Sequence, residues 1–106
     1  MRFLWLVLLP GLAQAAVPDG RMIALHGNDQ GALPCAACHG VNGGGNAAIG
    51  APALAGLPAP VIVAALSRFA HGQGGNAMMQ GIAHALSPDE MQAVAAYFSG
   101  LKAPGA

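Results

Sequence analysis

Residues 32–45 read ALPCAACHGVNGGG, and they contain both cysteines of the chain, Cys35 and Cys38, with His39 directly behind them. Four arrangements hold two thiols and an imidazole this close together: a zinc site, a redox dithiol, a structural disulfide and a covalently attached haem. Each asks something different of the rest of the chain.

Zinc asks for four ligands, usually in paired Cys/His modules. Here there are three candidates and no second module. A thioredoxin-like dithiol opens a helix in a βαβ setting, but no strand pattern is present and such a dithiol has no use for the following histidine. A disulfide is expected of thiols in an oxidising compartment. Closing so small a loop adds little stability, however, and leaves His39 unexplained. Haem attachment uses all three residues. In C-x-x-C-H the thiols become thioethers on the haem vinyl groups, and the imidazole ligates the iron.

The N-terminus bears on the compartment in which this chemistry is done. Arg2 precedes the apolar run FLWLVLLPGLA, which is too short to span a bilayer. Ala13-Gln14-Ala15 then gives a small-x-small cleavage pattern, as in a secretory signal peptide cut after Ala15. What remains, residues 16–106, is about ninety residues and one domain. No later segment has the length and apolarity of an integral membrane span. The mature chain is expected to be exported to the periplasm.

Composition sharpens the need for something beyond side chains to fill the core. The chain has 16 glycines, 8 prolines and only 5 % aromatic residues, and much of its 55 % hydrophobic content is alanine. Small domains so built often need a staple. Beyond the leader, Arg21, Arg68 and Lys102 face Asp19, Asp29, Asp89 and Glu90, one acid more than bases. This excludes a basic nucleic-acid surface and a polybasic lipid-binding stretch. Electrostatic steering of a partner should be weak.

Threonine is absent and no alternating strand pattern is found, so the domain reads as all-α, with three or four short helices. DGRMIALHG, residues 19–27, is a short helical run ended by glycine. APVIVAALSRFAHG carries Pro60 in its first turn and ends before Gly72, with Ile62, Leu66 and Phe69 on one face. In LSPDEMQAVAAYFSGL, Ser87 is an N-cap, Pro88 the first helical residue and Glu90 the partner in a capping box. Met91, Val94, Phe98 and Leu101 form the buried stripe of that helix. A further helical turn falls around Met79 to Ala85. Residues 40–57 and 72–78 are glycine-rich loops of a kind that wraps around something.

A haem iron held by one histidine takes a second axial ligand unless the site is open for chemistry, and a thioether is the usual one in electron-transfer cytochromes. Beyond the leader the candidates are Met22, Met78, Met79 and Met91. Spacing turns Met91 toward the core. Three histidines, His26, His71 and His84, could instead supply a second imidazole, but read as solvent-facing.

The stretches CAACHG, GAPALAG and NAMMQGIAHALSPDEMQAVAAYFSGL resemble the small class I cytochromes c of bacterial periplasms, over nearly all of residues 20–101. The resemblance implies the cytochrome c fold and one covalently bound haem c per chain, tethered by Cys35 and Cys38. In that group the ligand methionine lies seven residues before the leucine that opens the last helix. Counting back from Leu86 gives Met79, with Met78 the second choice. The resemblance also implies that the Pro52 carbonyl accepts a hydrogen bond from the Nδ1–H of His39, and that Gly20 and Tyr97 sit where the first and last helices cross. Two positions depart from the group, which has glutamine where this chain has Leu57 and tyrosine where it has Val61. Both changes put an apolar side chain near the haem and remove any propionate contact made there.

The implied function is electron transfer by a low-spin iron ligated by His39 and Met79. Its partners would be redox proteins: a periplasmic dehydrogenase or reductase as donor, and an oxidase or another cytochrome as acceptor. Ala36, Ala37 and Ala48, around the motif, are candidates for the contact surface. With both axial positions filled, the chain is not expected to be an enzyme. The alternatives are a bound cytochrome subunit of a dehydrogenase complex, or an enzyme with a dithiol or an open-site haem peroxidase centre.

Overall fold

In the computed structural model, which describes residues 17–104, the first helix begins where Asp19 turns its carboxylate back onto the chain. Asp19 Oδ1 accepts from the Arg21 and Met22 amides at 3.0 and 3.2 Å, supplying partners for donors that a helix start leaves free. The apolar leader and the expected cleavage position after Ala15 lie outside the described residues. Helix α1, Gly20–His26, stops at Gly27. Helix α2, Ala36–His39, is a single turn running through the cysteine motif. Helices α3, Ala59–Ala70, α4, Ala77–His84, and α5, Pro88–Ser99, follow. A 3-10 turn at Ala47–Ile49 interrupts the long loop between α2 and α3.

The domain is all-α, as its pattern implies. The only extended pairing among the described residues is an isolated bridge between Asn46 and Ala51. Among the described residues there are five α-helices rather than three or four. The extra one, α2, is too short to show periodicity. Helix α4 is also longer than its pattern suggested. Asn76 Oδ1 accepts from the Met79 amide at 2.9 Å, so the helix starts at Ala77 and takes in Ala77 and Met78, which the loop reading had included. None of the described helices is long and apolar enough to cross a membrane.

Helix α5 has the expected capping box, with Ser87 Oγ accepting from the Glu90 amide at 3.0 Å and Glu90 Oε1 from the Ser87 amide at 2.9 Å. Its stripe of Met91, Val94 and Phe98 is buried, together with Ala95, whereas Leu101, past the helix end, is half-buried. Helix α1 packs on α5, and α3 packs on both α4 and α5. The α1–α5 crossing is close. A Cβ on Gly20 would run into the Ala93 carbonyl and lie 3.2 Å from Tyr97 Cβ, so only glycine lets the backbones approach this far. The side-chain core is thin. Five of its twelve buried hydrophobic residues are alanines, and Phe98 and Val94 are the largest side chains fully enclosed.

The two glycine-rich loops are held by specific hydrogen bonds, and the first also by packing of Leu54, Ala55 and Leu57. In the first, the Gly45 amide donates to His39 O at 2.8 Å, and Asn46 and Ala51 exchange bonds of 2.7 and 3.0 Å. The Leu54 and Ala55 amides both reach Gly43 O, and the Gly56 amide reaches Phe98 O on α5 at 3.0 Å. In the second, Gln80 on α4 donates its side-chain amide to the carbonyls of Gly72 and Gln73 at 3.2 and 3.4 Å. Residues of both loops border one cavity together with α3 and α5.

Candidate functional site

Cys35, Cys38 and His39 stand at i, i+3 and i+4, the spacing that puts three side chains on one face of a helical turn. The turn exists because the His39 amide closes onto Cys35 O at 2.9 Å and the Gly40 amide onto Ala36 O at 3.0 Å. All three side chains line one cavity of about 530 Å³, within the size range of sites that bury a cofactor. Both glycine-rich loops and helices α3, α4 and α5 complete its wall.

His39 is the one buried polar or charged residue among the described residues, 7 % exposed. Its Nδ1 lies 2.8 Å from the carbonyl oxygen of Pro52. A carbonyl can only accept, so Nδ1 carries the hydrogen, which in the neutral ring leaves the lone pair on Nε2, the form that binds metals. The carbonyl is delivered by the loop closure described above. Gly45 has φ of +82°, and a Cβ there would stand 2.7 Å from Ala53 N and 2.8 Å from Ala51 O and the Pro52 carbonyl carbon. The loop can pass this close to its own return strand only with glycine at that position.

Cys35 and Cys38 are unbridged thiols, both half-buried. Burial pushes the Cys35 thiol above its usual range, against a smaller opposing effect of a backbone hydrogen bond. A redox or catalytic dithiol works through a thiolate of lowered pKa. The environment of Cys35 does the reverse.

Of the four methionines considered for the second axial position, Met78 and Met79 reach the cavity and the other two do not. Met79, third residue of α4, is half-buried, while Met78 is 59 % exposed. Met22 is exposed on α1, and Met91 is buried in the core, 4.0 Å from Ser67 Oγ. His26, His71 and His84 are exposed and none lines the cavity. Leu57 and Val61, the two departures from the class I pattern, both do.

The remainder of the wall is apolar. Apart from the motif residues and Asn76, no polar side chain lines it, and no charged one does. Leu33 and Ile49, at 53 % and 59 % exposure, lie on its margin and were not singled out by sequence reasoning. Nor was Asn76, although an asparagine ahead of an apolar helical run is a readable cap signal. A buried imidazole with a free lone pair, two thiols on the same face, a thioether on another wall and an otherwise apolar cavity together suit a covalently bound haem.

Known proteins agree with this construction. The sequence profile of the cytochrome c family matches residues 26–102. The chain is 47 % identical over 74 residues to a protein of Thiomonas intermedia (strain K12) named thiosulfate dehydrogenase electron acceptor, covering 70 % of this chain and 34 % of that protein. Its namesake in Stutzerimonas stutzeri (strain A1501) is 44 % identical over 92 residues, 86 % of this chain and 43 % of that one. The crystal structure of reduced recombinant cytochrome c4 from Pseudomonas stutzeri superposes with a TM-score of 0.74 at 34 % identity, covering 78 % of this chain and 46 % of that one. The thiosulfate dehydrogenase (TsdBA) of Marichromatium purpuratum gives 0.75 at 38 % identity, over 82 % of this chain and 19 % of that one. This chain therefore spans less than half the length of these relatives. With the C-x-x-C-H motif present, membership of the family implies covalently attached haem c. Matched by the family profile over most of its length and sharing the fold of a solved cytochrome c4, this chain belongs to the cytochrome c family.

Proposed function

We propose that the chain carries one electron at a time between redox proteins outside the cytoplasm, as a single-haem cytochrome c. The observation that carries this reading is the cavity lined by both the lone-pair form of His39 and the sulfur-bearing Met79. His39 and Met79 would ligate the iron, and Cys35 and Cys38 would tether the ring. Pro52 orients the imidazole and makes it the better donor. The haem supplies an iron that cycles between ferric and ferrous states. The chain's own contribution would be to exclude water, through a wall without charged side chains, and to offer the iron both an imidazole and a thioether. A metal so enclosed does not admit a small substrate, and the chain is accordingly a carrier rather than an enzyme. The leader exports it to the periplasm and is removed after Ala15, leaving residues 16–106 as the cytochrome domain.

The test is a visible spectrum of purified protein in both redox states, with a pyridine haemochrome count. One covalent haem per chain and a low-spin spectrum with sulfur ligation are expected. Colourless folded protein, or a high-spin spectrum that readily binds cyanide, would refute the carrier reading and favour the enzyme alternatives.

A second reading has specific support. Two relatives are named as electron acceptors of a thiosulfate dehydrogenase, and a third is a structure of such an enzyme. The donor of this chain would then be a dehydrogenase oxidising a small sulfur oxyanion, with the cytochrome docked on it through the cavity margin. That margin exposes Leu33, Ile49, Val61 and Met78, and of the candidate contact alanines Ala37 and Ala48 are exposed and Ala36 half-buried. An oxidase or a further cytochrome would accept the electron. Co-purification with a catalytic subunit at moderate salt distinguishes a bound subunit from a free carrier.

A further inference from the structure

Asn28, in the loop between α1 and α2, uses its whole side chain in hydrogen bonds. Its Oδ1 accepts from the Gln30 and Ala32 amides at 3.0 and 2.9 Å. Its Nδ2 donates to Ala85 O at 2.7 Å and to Glu90 Oε1 at 3.0 Å, partners 57 and 62 residues away. Its backbone amide also reaches Ala32 O, at 3.2 Å. The orientation of the amide is fixed by its partners, since two N–H groups need the oxygen and a carbonyl needs the nitrogen.

Each end of this bridge leads to one side of the haem site. Ala32, buried and held by Asn28 through both its N–H and its C=O, stands three residues before Cys35 and opens the segment that ends at His39. Ala85 is the C-cap of α4, the helix whose third residue is Met79. Ala85 lies six positions after Met79, about 9 Å along the helix axis. Glu90, the other acceptor, is already committed to the capping box of α5. No other side-chain hydrogen bond among the described residues joins the segment leading into the cysteine motif to the end of α4.

We infer that Asn28 is a positioning residue for axial ligation: it sets the separation between the His39-bearing and Met79-bearing segments and so holds Met79 on the iron. This rests on the assignment of Met79 as the second ligand. A residue that only stabilised the fold would leave the Met79–iron bond as strong in the folded state as before. Asn28 acts on that bond through α4, whose C-terminal end it ties to the segment leading into the motif.

The test uses ferric holo-protein and cyanide, which binds only when Met79 leaves the iron. Asn28→Asp keeps the oxygen for Gln30 and Ala32, removes the donor to Ala85 and Glu90, and sets a second carboxylate against Glu90. Asn28→Ser keeps a shorter oxygen and is the second variant, should the first not accumulate with haem. Ile23→Val, in the α1 core and outside the cavity wall, serves as a stability-matched control, and Met79→Ala as the fully open reference. Cyanide uptake about tenfold faster than wild type is expected for both Asn28 variants, the size of the one lost part-buried hydrogen bond that reaches α4, at Ala85. The control should match wild type. Unchanged uptake in the Asn28 variants, or an equal rise in Ile23→Val, overturns the inference while leaving Met79 as ligand. If Met79→Ala itself neither alters the spectrum nor speeds uptake, the ligand assignment fails, and the role of Asn28 fails with it.

Discussion

The imidazole Nδ1 of His39 and the carbonyl oxygen of Pro52 lie 2.8 Å apart, across thirteen positions of chain. The contact joins a one-turn helix to a loop with almost no regular structure, so its geometry depends on the loop's own closure. Gly45, at φ +82°, is the tightest point of that closure. Gly45→Ala combines a left-handed alanine, costing about 1–2 kcal/mol, with a clash against the segment that carries Pro52. The loop should be pushed off His39 and the histidine should become a weaker donor, which favours ferrous iron. A lower melting temperature and a raised midpoint potential are expected, the second read by spectroelectrochemical titration.

Met78 and Met79 are adjacent yet differ in exposure, and substitution separates their roles. Met79→Ala should abolish the low-spin His/Met spectrum, while Met78→Ala should leave it in place. Electronic spectra of the ferric proteins decide the matter. The reverse pattern would move the axial ligand to Met78.

The crossing of α1 and α5 admits no side chain at Gly20. Gly20→Ala places a methyl group against the Ala93 carbonyl. Overpacking of this kind costs about 1–3 kcal/mol. Thermal unfolding of the holo-protein should show the loss, with the spectrum of the surviving folded fraction unchanged because Gly20 lies off the cavity wall.

Leu57 on the cavity wall gives a prediction for the potential. An apolar surround disfavours the extra positive charge of ferric iron, and polarity around the site is one of the protein's levers on its potential. Leu57→Gln, which restores the group's residue, should lower the midpoint potential without changing the axial ligands. A redox titration of the variant beside wild type checks the sign.

Ser87→Ala removes one half of the capping box of α5. A loss of about 1 kcal/mol is expected, measured as a lower denaturation midpoint. Glu90 should remain anchored through Asn28 Nδ2, so the spectrum and potential should not move.

Local chemistry made several of these features legible from residues alone. The spacing of Cys35, Cys38 and His39 needs only one helical turn to put three side chains on one face, and any such turn does it. Ser87, Pro88 and Glu90 carry the start of α5 within four residues, and the stripe of Met91, Val94 and Phe98 follows from helical period. The thinness of the core could be read from its alanines and the scarcity of aromatic side chains. The crossing of Gly20 with α5 and the partner of His39 were available only through resemblance to a family.

Tertiary structure decided what depends on residues far apart in the chain. The path of residues 40–57 has no period to read, because it is set by closures such as Gly43 with Leu54 and Gly56 with Phe98. Which methionines reach the cavity depends on how α4 packs, since Met22 and Met91 have the same chemistry and point elsewhere. Asn28 shows the same limit: its amide is an unremarkable loop residue until folding brings Ala85 and Glu90 to it. Helical faces and caps are specified by neighbours within one or two turns, whereas the enclosure of a cofactor needs contacts whose partners only the packed chain brings together.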